Sequence, residues 1–350
     1  MCPKCLGESN VIPQTQGTPV TISRGRPSTK PLTPSCPALN KMAYRTIKRG
    51  RRSYTRRTTR KGYGGPSTRR RYPTKRRRYP RKMTNKRILN VTSRKKRDTM
   101  LSWSKKSDSI PQAIGPYIMD SAPGNGGMSN VFLWMPTFRD LDKGLSGTPG
   151  GVSDPATRTA STCYMRGLKE SIEIQTSSGM AWQWRRICFT SKDPGAVFGS
   201  QIAVALDTSN GYARYIRQLA SADAADAAAL DTLRGIVFRG QIGRDWSSYI
   251  TAPVDNSRVT VKYDRTMTFQ SGNQTGVVRK IKMWHAMNSN LVYDDDENGA
   301  SNTYTNGFST SGKAGMGNFF VMDVFMPGIG ATSADKLSFD PCATLYWHEK

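Results

Sequence analysis

The sequence has little of the material that enzymes use for catalysis. Its 350 residues include only two histidines, His285 and His348, so mechanisms that depend on a histidine acid or base have few candidates. It contains no nucleophile elbow, no Gly-rich phosphate-binding loop and no helical zinc-protease motif. We therefore predict that the protein is not an enzyme and uses no cofactor.

Long apolar runs and regularly spaced cysteines are also absent. The longest apolar runs, VFLWMP (131–136) and FFVMDVFMP (319–327), have the length of strands, whereas a membrane-spanning helix needs about 18 apolar residues. The CPKC stretch at Cys2 and Cys5 is half of a zinc site without a second half. The sequence thus predicts no membrane partner, no disulfide framework and no bound metal.

Acidic residues are nearly missing from the first 106 positions. Residues 42–106 contain 26 Lys and Arg but one acidic residue, Asp98, whereas residues 107–350 contain 22 basic and 23 acidic residues. The formal net charge of +28 is therefore concentrated before a nearly neutral body. Such a basic segment indicates a polyanionic partner, above all nucleic acid.

Residues 42–87 are predicted to form a disordered nucleic-acid-binding arm. They have almost no aliphatic side chains with which to offset the entropy of ordering, and Pro66, Pro73 and Pro80 interrupt any helix. Cations that meet phosphates release counterions, and interleaved tyrosines can stack on unpaired bases. The predicted DNA-binding residues are Arg49, Arg51, Arg52, Tyr54, Arg56, Arg57, Arg60, Arg69, Arg70, Arg71, Tyr72, Lys75, Arg76, Arg77, Arg78, Tyr79, Arg81 and Lys82.

Two short basic clusters match what nuclear import receptors bind. The first is Lys75, Arg76, Arg77 and Arg78, and the second is Arg94, Lys95, Lys96 and Arg97. We predict from them that the protein enters the nucleus. Residues 1–41, rich in Pro, Thr and Ser, are predicted to be a low-complexity extension that is disordered or not in the mature protein.

The remainder, residues 88–350, is predicted to be all-β. Several apolar runs alternate with period two, so that Val259, Val261, Tyr263, Arg265, Met267 and Phe269 share one face. Residues 211–219 and the Ala-rich 220–233 are predicted to be helical. This pattern predicts an all-β antiparallel sandwich or jelly roll with short helices in its loops. The predicted strands cover 99–104, 131–138, 171–176, 182–190, 235–240, 258–269, 277–285, 319–327 and 343–349.

One acidic run, YDDDE (293–297), is the strongest candidate for a metal site. Consecutive residues of a strand point to opposite faces, so its carboxylates do not converge on one ion. We predict an exposed acidic loop that is solvated or docks on a neighbour's basic groups; a structural cation and a metal nuclease are the alternatives. The loop residues are Asp294, Asp295, Asp296 and Glu297.

From Met42 onward the order of segments resembles the capsid proteins of genomoviruses, the gemycircularvirus-like viruses, and is more distantly similar to geminivirus coat proteins. The pattern starts with MAYR and an Arg/Tyr-rich arm. The further segments that carry it are NVTSRKKRDTML (90–101), CYMRGLKESIEI (163–174), RVTVKYDRTMTF (258–269), WHAMNSNLVYDDDENG (284–299), GMGNFFVMDVF (315–325) and LSFDPCATLYWHEK (337–350).

The resemblance implies a coat protein with a single antiparallel jelly-roll, an eight-stranded β-sandwich, that assembles into a 60-copy T=1 icosahedral shell. It also implies a circular single-stranded DNA genome inside the virion and delivery to the host nucleus through an import receptor. It does not identify a host surface receptor. The alternative function is a monomeric chromatin- or RNA-binding protein with a basic tail.

Overall fold

The computed structural model describes residues 83–105, 112–121, 130–143, 148–192, 204–219, 224–299, 302–304 and 306–350. All of them belong to one compact unit, Arg78–Lys350, and we call residues 83–350 the body. The described helices are α1 (Asn85–Thr92) and α2 (Ala224–Val237). The strands are β1 (Arg94–Met100), β2 (Ser102–Lys105), β3 (Ala113–Ile114), β4 (Tyr117–Asp120), β5 (Asn130–Trp134), β6 (Thr162–Thr176), β7 (Trp182–Ser191), β8 (Leu206–Thr208), β9 (Gly211–Arg217), β10 (Thr260–Phe269), β11 (Val278–Val292), β12 (Asp296–Asn298), β13 (Asn302–Tyr304), β14 (Asn318–Pro327) and β15 (Lys336–Glu349).

Two antiparallel sheets make up most of the body, which confirms the predicted all-β class. The five-stranded sheet has the order β1-β15-β6-β11, with β4 also paired to β15, and the four-stranded sheet has the order β10-β7-β14-β5. A smaller sheet, β3-β2-β9-β8, and the hairpin β12–β13 complete the described strands. In the two larger sheets the register is antiparallel at every pairing.

The inner faces of the two large sheets pack against each other to form the core. Leu168 and Leu345 of the five-stranded sheet contact the same apolar cluster as Cys188 and Val321 of the four-stranded sheet. The cluster's large side chains include Trp347, which is 1% exposed. Because fully burying a large apolar side chain contributes about 1.5–3 kcal/mol, this layer supplies much of the stability of the body.

The other face of the four-stranded sheet is covered as well. Leu230, Leu233 and Val237 lie on one face of α2 and pack with Phe189 and Met322 in one buried cluster. This double coverage explains why β7 and β14 are buried at nearly every position. A strand that is apolar on both faces is typical of a sheet with layers on both sides.

Two predicted elements were wrong. Residues 211–219, predicted to be helical, contain β9, which pairs in parallel with β2 through Tyr215 and Trp103. Residues 235–240, predicted to be a strand, contain the last turn of α2. In both cases tertiary packing overrode local preference, because the Ala-rich helix continues as long as its apolar face meets the sheet.

A group of four charged side chains lies between the sheets. Glu170 of β6, Arg186 of β7, Arg214 of β9 and Asp323 of β14 are each 0% exposed, and we call them the buried charge quartet. Arg186 donates from Nε and Nη2 to both oxygens of Asp323, at 2.7 and 2.9 Å. Arg214 donates to Asp323 at 2.9 Å and to Glu170 at 3.2 Å, and Arg186 also bonds Glu170.

The quartet has no net charge, because it contains two cations and two carboxylates. Burial alone would raise the pKa of Asp323, but Arg186 and Arg214 hold that pKa below its usual range. Trp184 is the third residue that donates to Asp323, from its indole Nε1 at 2.8 Å. Because its members lie on four different strands, the quartet ties the register of both large sheets to that of β9.

Candidate nucleic-acid interface

The predicted DNA-binding residues of the arm, from Arg49 to Lys82, lie outside the described residues, as does the first import cluster, Lys75 to Arg78. The first described residue, Met83, directly follows the last of them in the chain. The arm is therefore joined to the body just before α1. Helix α1 spans the predicted boundary between residues 87 and 88, so the first helix of the body begins within the predicted arm, at Asn85.

The second basic cluster lies on β1, at the edge of the five-stranded sheet. Arg94, Lys95 and Arg97 are exposed, but Lys96 points into the protein and is 4% exposed. Its Nζ atom lies 3.1 Å from Glu349 Oε2 and donates to Thr157 O at 2.7 Å. In the folded body the cluster is thus a paired strand with one buried member, so its role in import stays a prediction that applies to three exposed cations.

Glu349 accepts hydrogen bonds from other side chains besides Lys96. Burial by itself would raise its pKa, but hydrogen bonds from Thr159, Trp347 and Lys96 hold the pKa below the usual range. The Trp347 indole donates to Glu349 Oε1 at 2.7 Å. The ion pair therefore fastens β1 to the end of β15 and is structural.

The acidic run is not one exposed loop, and this corrects the prediction for Asp295. Its side chain is 2% exposed and accepts from Arg158 Nη2 at 2.8 Å, while the Arg158 guanidinium lies 3.8 Å from the centre of the Tyr293 ring. Asp294, Asp296 and Glu297 are exposed. Asp296 and Glu297 belong to β12, which pairs with β13. The run thus separates into one buried ion pair and three surface carboxylates.

Because Asp295 is buried and Asp294 is exposed, we expect substitutions of the two residues to have different effects on stability. Asp295→Asn is expected to lower the free energy of unfolding by about 1–3 kcal/mol, because it leaves the buried Arg158 guanidinium without its counter-charge. The matched change Asp294→Asn, at the adjacent exposed position in the chain, is expected to change the free energy of unfolding by no more than about 0.5 kcal/mol. Urea unfolding followed by tryptophan fluorescence measures both, and equal effects would contradict the assignment.

A groove lies between α1 and the outer face of the five-stranded sheet, next to the point where the arm joins. Its volume is about 1310 Å³. Helix α1 is fixed there at its N-terminus by the Thr84 side chain, which accepts from Arg87 N, and Lys95 Nζ donates to Asn90 O at 3.0 Å. The residues that line the groove are Thr84, Arg87, Leu89, Asn90, Ser93, Lys95, Ala160, Thr162, Tyr164, Arg166, Asn290, His348, Glu349 and Lys350.

The groove is basic at its surface. Arg87, Lys95, Arg166 and Lys350 are cationic, and the acidic group that lines it, Glu349, is already paired with Lys96. Burial, together with Lys95 and Arg166, lowers the pKa of His348, so that its ring is neutral near pH 7. The arrangement offers an anion several cationic donors beside a tyrosine and an imidazole ring.

The other histidine, His285, lies in the core on β11, within the predicted strand 277–285. Cys188 Sγ lies 3.8 Å from His285 Nδ1. Burial raises the pKa of the Cys188 thiol, and burial together with Arg186 lowers that of His285. A thiol that is protonated and 0% exposed is neither a thiolate nor open to a substrate. We therefore assign this pair a packing role beside the quartet.

No family model and no curated protein matches this chain. Within the described ranges, no helix is long and apolar enough to cross a membrane, and no three His, Cys, Asp or Glu side chains are grouped as metal ligands. The described body cysteines Cys163, Cys188 and Cys342 are free thiols.

Proposed function

We propose that this protein is a viral capsid protein whose body self-assembles into a small icosahedral shell and whose basic arm packages circular single-stranded DNA. The observation that carries the proposal is a two-sheet body with a segregated block of positive charge. Residues 42–82 contain 18 Lys and Arg and no acidic residue, whereas the chain from 107 onward is nearly neutral. Bodies of low net charge can pack side by side while their arms meet a polyanion.

The strand order supports a jelly-roll body. The eight strands of the two four-strand paths, in chain order, are β1, β5, β6, β7, β10, β11, β14 and β15. Numbered one to eight in that order, they form sheets 1-8-3-6 and 5-4-7-2. The chain thus crosses repeatedly between sheets and the last strand lies beside the first, which is the arrangement of two Greek keys in a jelly roll.

The electrostatics support the same function. Sixty arms of 18 cations would bring about 1,100 positive charges to one enclosed volume, enough to neutralise a large share of a small genome by displacing its counterions. We further propose that Lys75 to Arg78, with the exposed cations of β1, directs the protein to the host nucleus before assembly. The exposed Asp294, Asp296 and Glu297 would then face a neighbouring subunit or the outside.

The size of the purified protein in solution tests this function. A 60-copy shell of a 38.8 kDa chain has a mass of about 2.3 MDa, and light scattering together with negative-stain microscopy is expected to find closed particles of that mass. The alternative, a monomeric chromatin- or RNA-binding protein, predicts the mass of one chain at every concentration. A monomer that binds nucleic acid without forming particles would overturn the capsid proposal.

A further inference from the structure

The outer face of the five-stranded sheet carries a second basic surface, separate from the arm. In the antiparallel register, residues that lie opposite each other point to the same face. Outward positions of β1, β6 and β11 place six cations on this face, and two acidic residues, Glu173 and Asp340, lie toward one end of it. The six are Lys95, Arg97, Arg166, Lys169, Lys280 and Lys282.

The central cations, Lys169 and Lys282, have no acidic residue directly opposite them in the register, whereas Glu173 lies opposite Lys280 and pairs with its Nζ at 3.6 Å. Lys282 lies opposite Ser171, which lies opposite Cys342. Lys169 lies between Trp284 on β11 and Thr344 on β15. The face therefore has a net positive charge where its strands are longest, and it continues into the groove under α1 through Lys95 and Arg166.

Aromatic rings lie among these cations. The Trp284 side chain is on the outward side of β11 and the residue is 50% exposed, although tryptophan is usually buried. Its ring centre lies 5.8 Å from that of Tyr346. A second pair, Tyr164 and His348, has ring centres 6.0 Å apart. Tyr346 and His348 are two residues apart on β15, so the two pairs follow each other at about 7 Å along the strand.

The position of the Trp284 ring is built into the backbone. Gly167, with φ +153°, lies under the indole, and a Cβ at that position would come within 2.7 Å of the Trp284 ring and 2.5 Å of His285 O. Only glycine leaves room for this part of the indole against β6. The half-exposed indole is therefore seated over Gly167, and its neighbourhood is rich in cations.

We propose that this face binds single-stranded nucleic acid, with Trp284 as the stacking platform for a base and Lys169 and Lys282 as phosphate contacts. Cations on a sheet surface with aromatic rings between them match the chemistry of an unpaired strand, whose bases need π-faces and whose phosphates need positive charge. That the strand is the DNA genome rests on the proposed function. In a shell, this face would then hold DNA against the wall.

The test measures binding of a fluorescent oligo-dT to the full-length chain over a series of salt concentrations. Trp284→Ala is expected to weaken binding by about 5- to 100-fold, with little change in the salt slope, because a stacked base contributes affinity without counterion release. Trp284→Tyr, which keeps a ring, is expected to restore most of the affinity. The thermal midpoint of each variant is recorded to establish that it is folded.

The double substitution Lys169→Gln and Lys282→Gln is expected to lower the salt slope by about 1.4, since each phosphate contact on a single strand contributes about 0.7. The matched control is Arg239→Gln with Arg244→Gln, two exposed cations in the segment that covers the opposite side of the four-stranded sheet. It removes the same charge and is expected to leave both affinity and slope unchanged.

Several results would overturn the inference. Folded Trp284→Ala and double-lysine variants that bind oligo-dT as the parent does would exclude the face, and so would a control pair with the same loss. An equal Trp284 dependence with duplex DNA would exclude base stacking. Particle mass is measured on the same samples. If shells form but the Trp284 substitution does not change binding, the inference about this face is wrong and the capsid function is retained. If the substitution weakens binding but no shells form, only the capsid function is wrong.

Discussion

Deleting residues 42–82 is expected to abolish genome packaging while leaving the body folded. The deletion removes 18 cations and no acidic residue, and every lost phosphate contact reduces the logarithmic salt slope of single-strand binding by about 0.7. If only six of the 18 contact phosphates, the loss corresponds to several orders of magnitude in affinity at low salt. The core described above lies entirely after residue 83, so the melting transition is expected to persist.

The measurement is the amount of nuclease-protected DNA in purified particles, together with the thermal transition of the same sample. A charge-preserving control changes Tyr54, Tyr72 and Tyr79 to Ser, which keeps all 18 cations. This control is expected to retain most packaging, because counterion release and not stacking dominates binding by the arm. Truncated protein that protects as much DNA as the full chain would remove the arm from the packaging mechanism.

The second large effect concerns the buried charge quartet. Asp323→Asn is expected to lower the free energy of unfolding by about 3–5 kcal/mol, because it leaves Arg186 and Arg214 in the core with one carboxylate between them. Both guanidinium groups are 0% exposed, so water does not replace the lost charge. An uncompensated buried cation costs far more than a paired one contributes, which makes the loss larger than that of an ordinary hydrogen bond.

An exposed ion pair supplies the control for this prediction. Asp231 pairs with Arg234 at 2.5 Å, but its side chain is 73% exposed, and exposed pairs contribute about 0–1 kcal/mol. Asp231→Asn makes the same chemical change in water and is expected to have little effect. Urea unfolding of both variants by linear extrapolation gives the comparison. Similar losses for Asp323→Asn and Asp231→Asn would mean that the quartet does not hold the sheets together.

The sequence predicted most of the strands because their alternation is local. In β10, Thr260, Lys262 and Thr268 are exposed while Phe269 is buried, as the period-two pattern predicts. The six residues predicted to share one face are divided, however, because the register shifts between Val261 and Tyr263. Val261 packs in the cluster that contains α2, and Tyr263 packs in the cluster between the two large sheets. The two wrong elements have their cause elsewhere in the chain. The GYARYIR stretch becomes β9 because β2 and β8 are there to pair with it, and no property of those seven residues contains that information.

The quartet was missed, although a signal for it was present. Arg185-Arg186 interrupts the apolar run of β7, and Asp323 interrupts that of β14. A charge in the middle of a strand that is otherwise apolar needs a counter-charge, since an unpaired buried ion is too costly. Pairing opposite charges among apolar strands would have suggested Arg186 with Asp323, which are register partners in the four-stranded sheet.

The candidate interface could be predicted only in part. The arm is evident from composition alone, because charge and the lack of aliphatic residues do not depend on the fold. The basic outer face of the five-stranded sheet is not evident from composition, since Lys169, Lys282 and Trp284 become neighbours only through the register of β6 with β11. The splitting of the acidic run has the same origin, because Arg158, the partner of Asp295, lies 137 positions earlier in the chain.

The position of β15 has a consequence for how the protein is made. Strand β1 has its pairing partner in β15, where Arg94 lies opposite Glu349, so the five-stranded sheet lacks its central strand until the 255 positions after Arg94 have been translated. At roughly 5–20 residues per second, that interval is on the order of 10–50 s. During it the cationic arm is already outside the ribosome while the body lacks its central strand. If the chain binds nucleic acid and assembles as proposed, it can meet the nucleic acid before it folds, so that the timing of synthesis would separate binding from assembly.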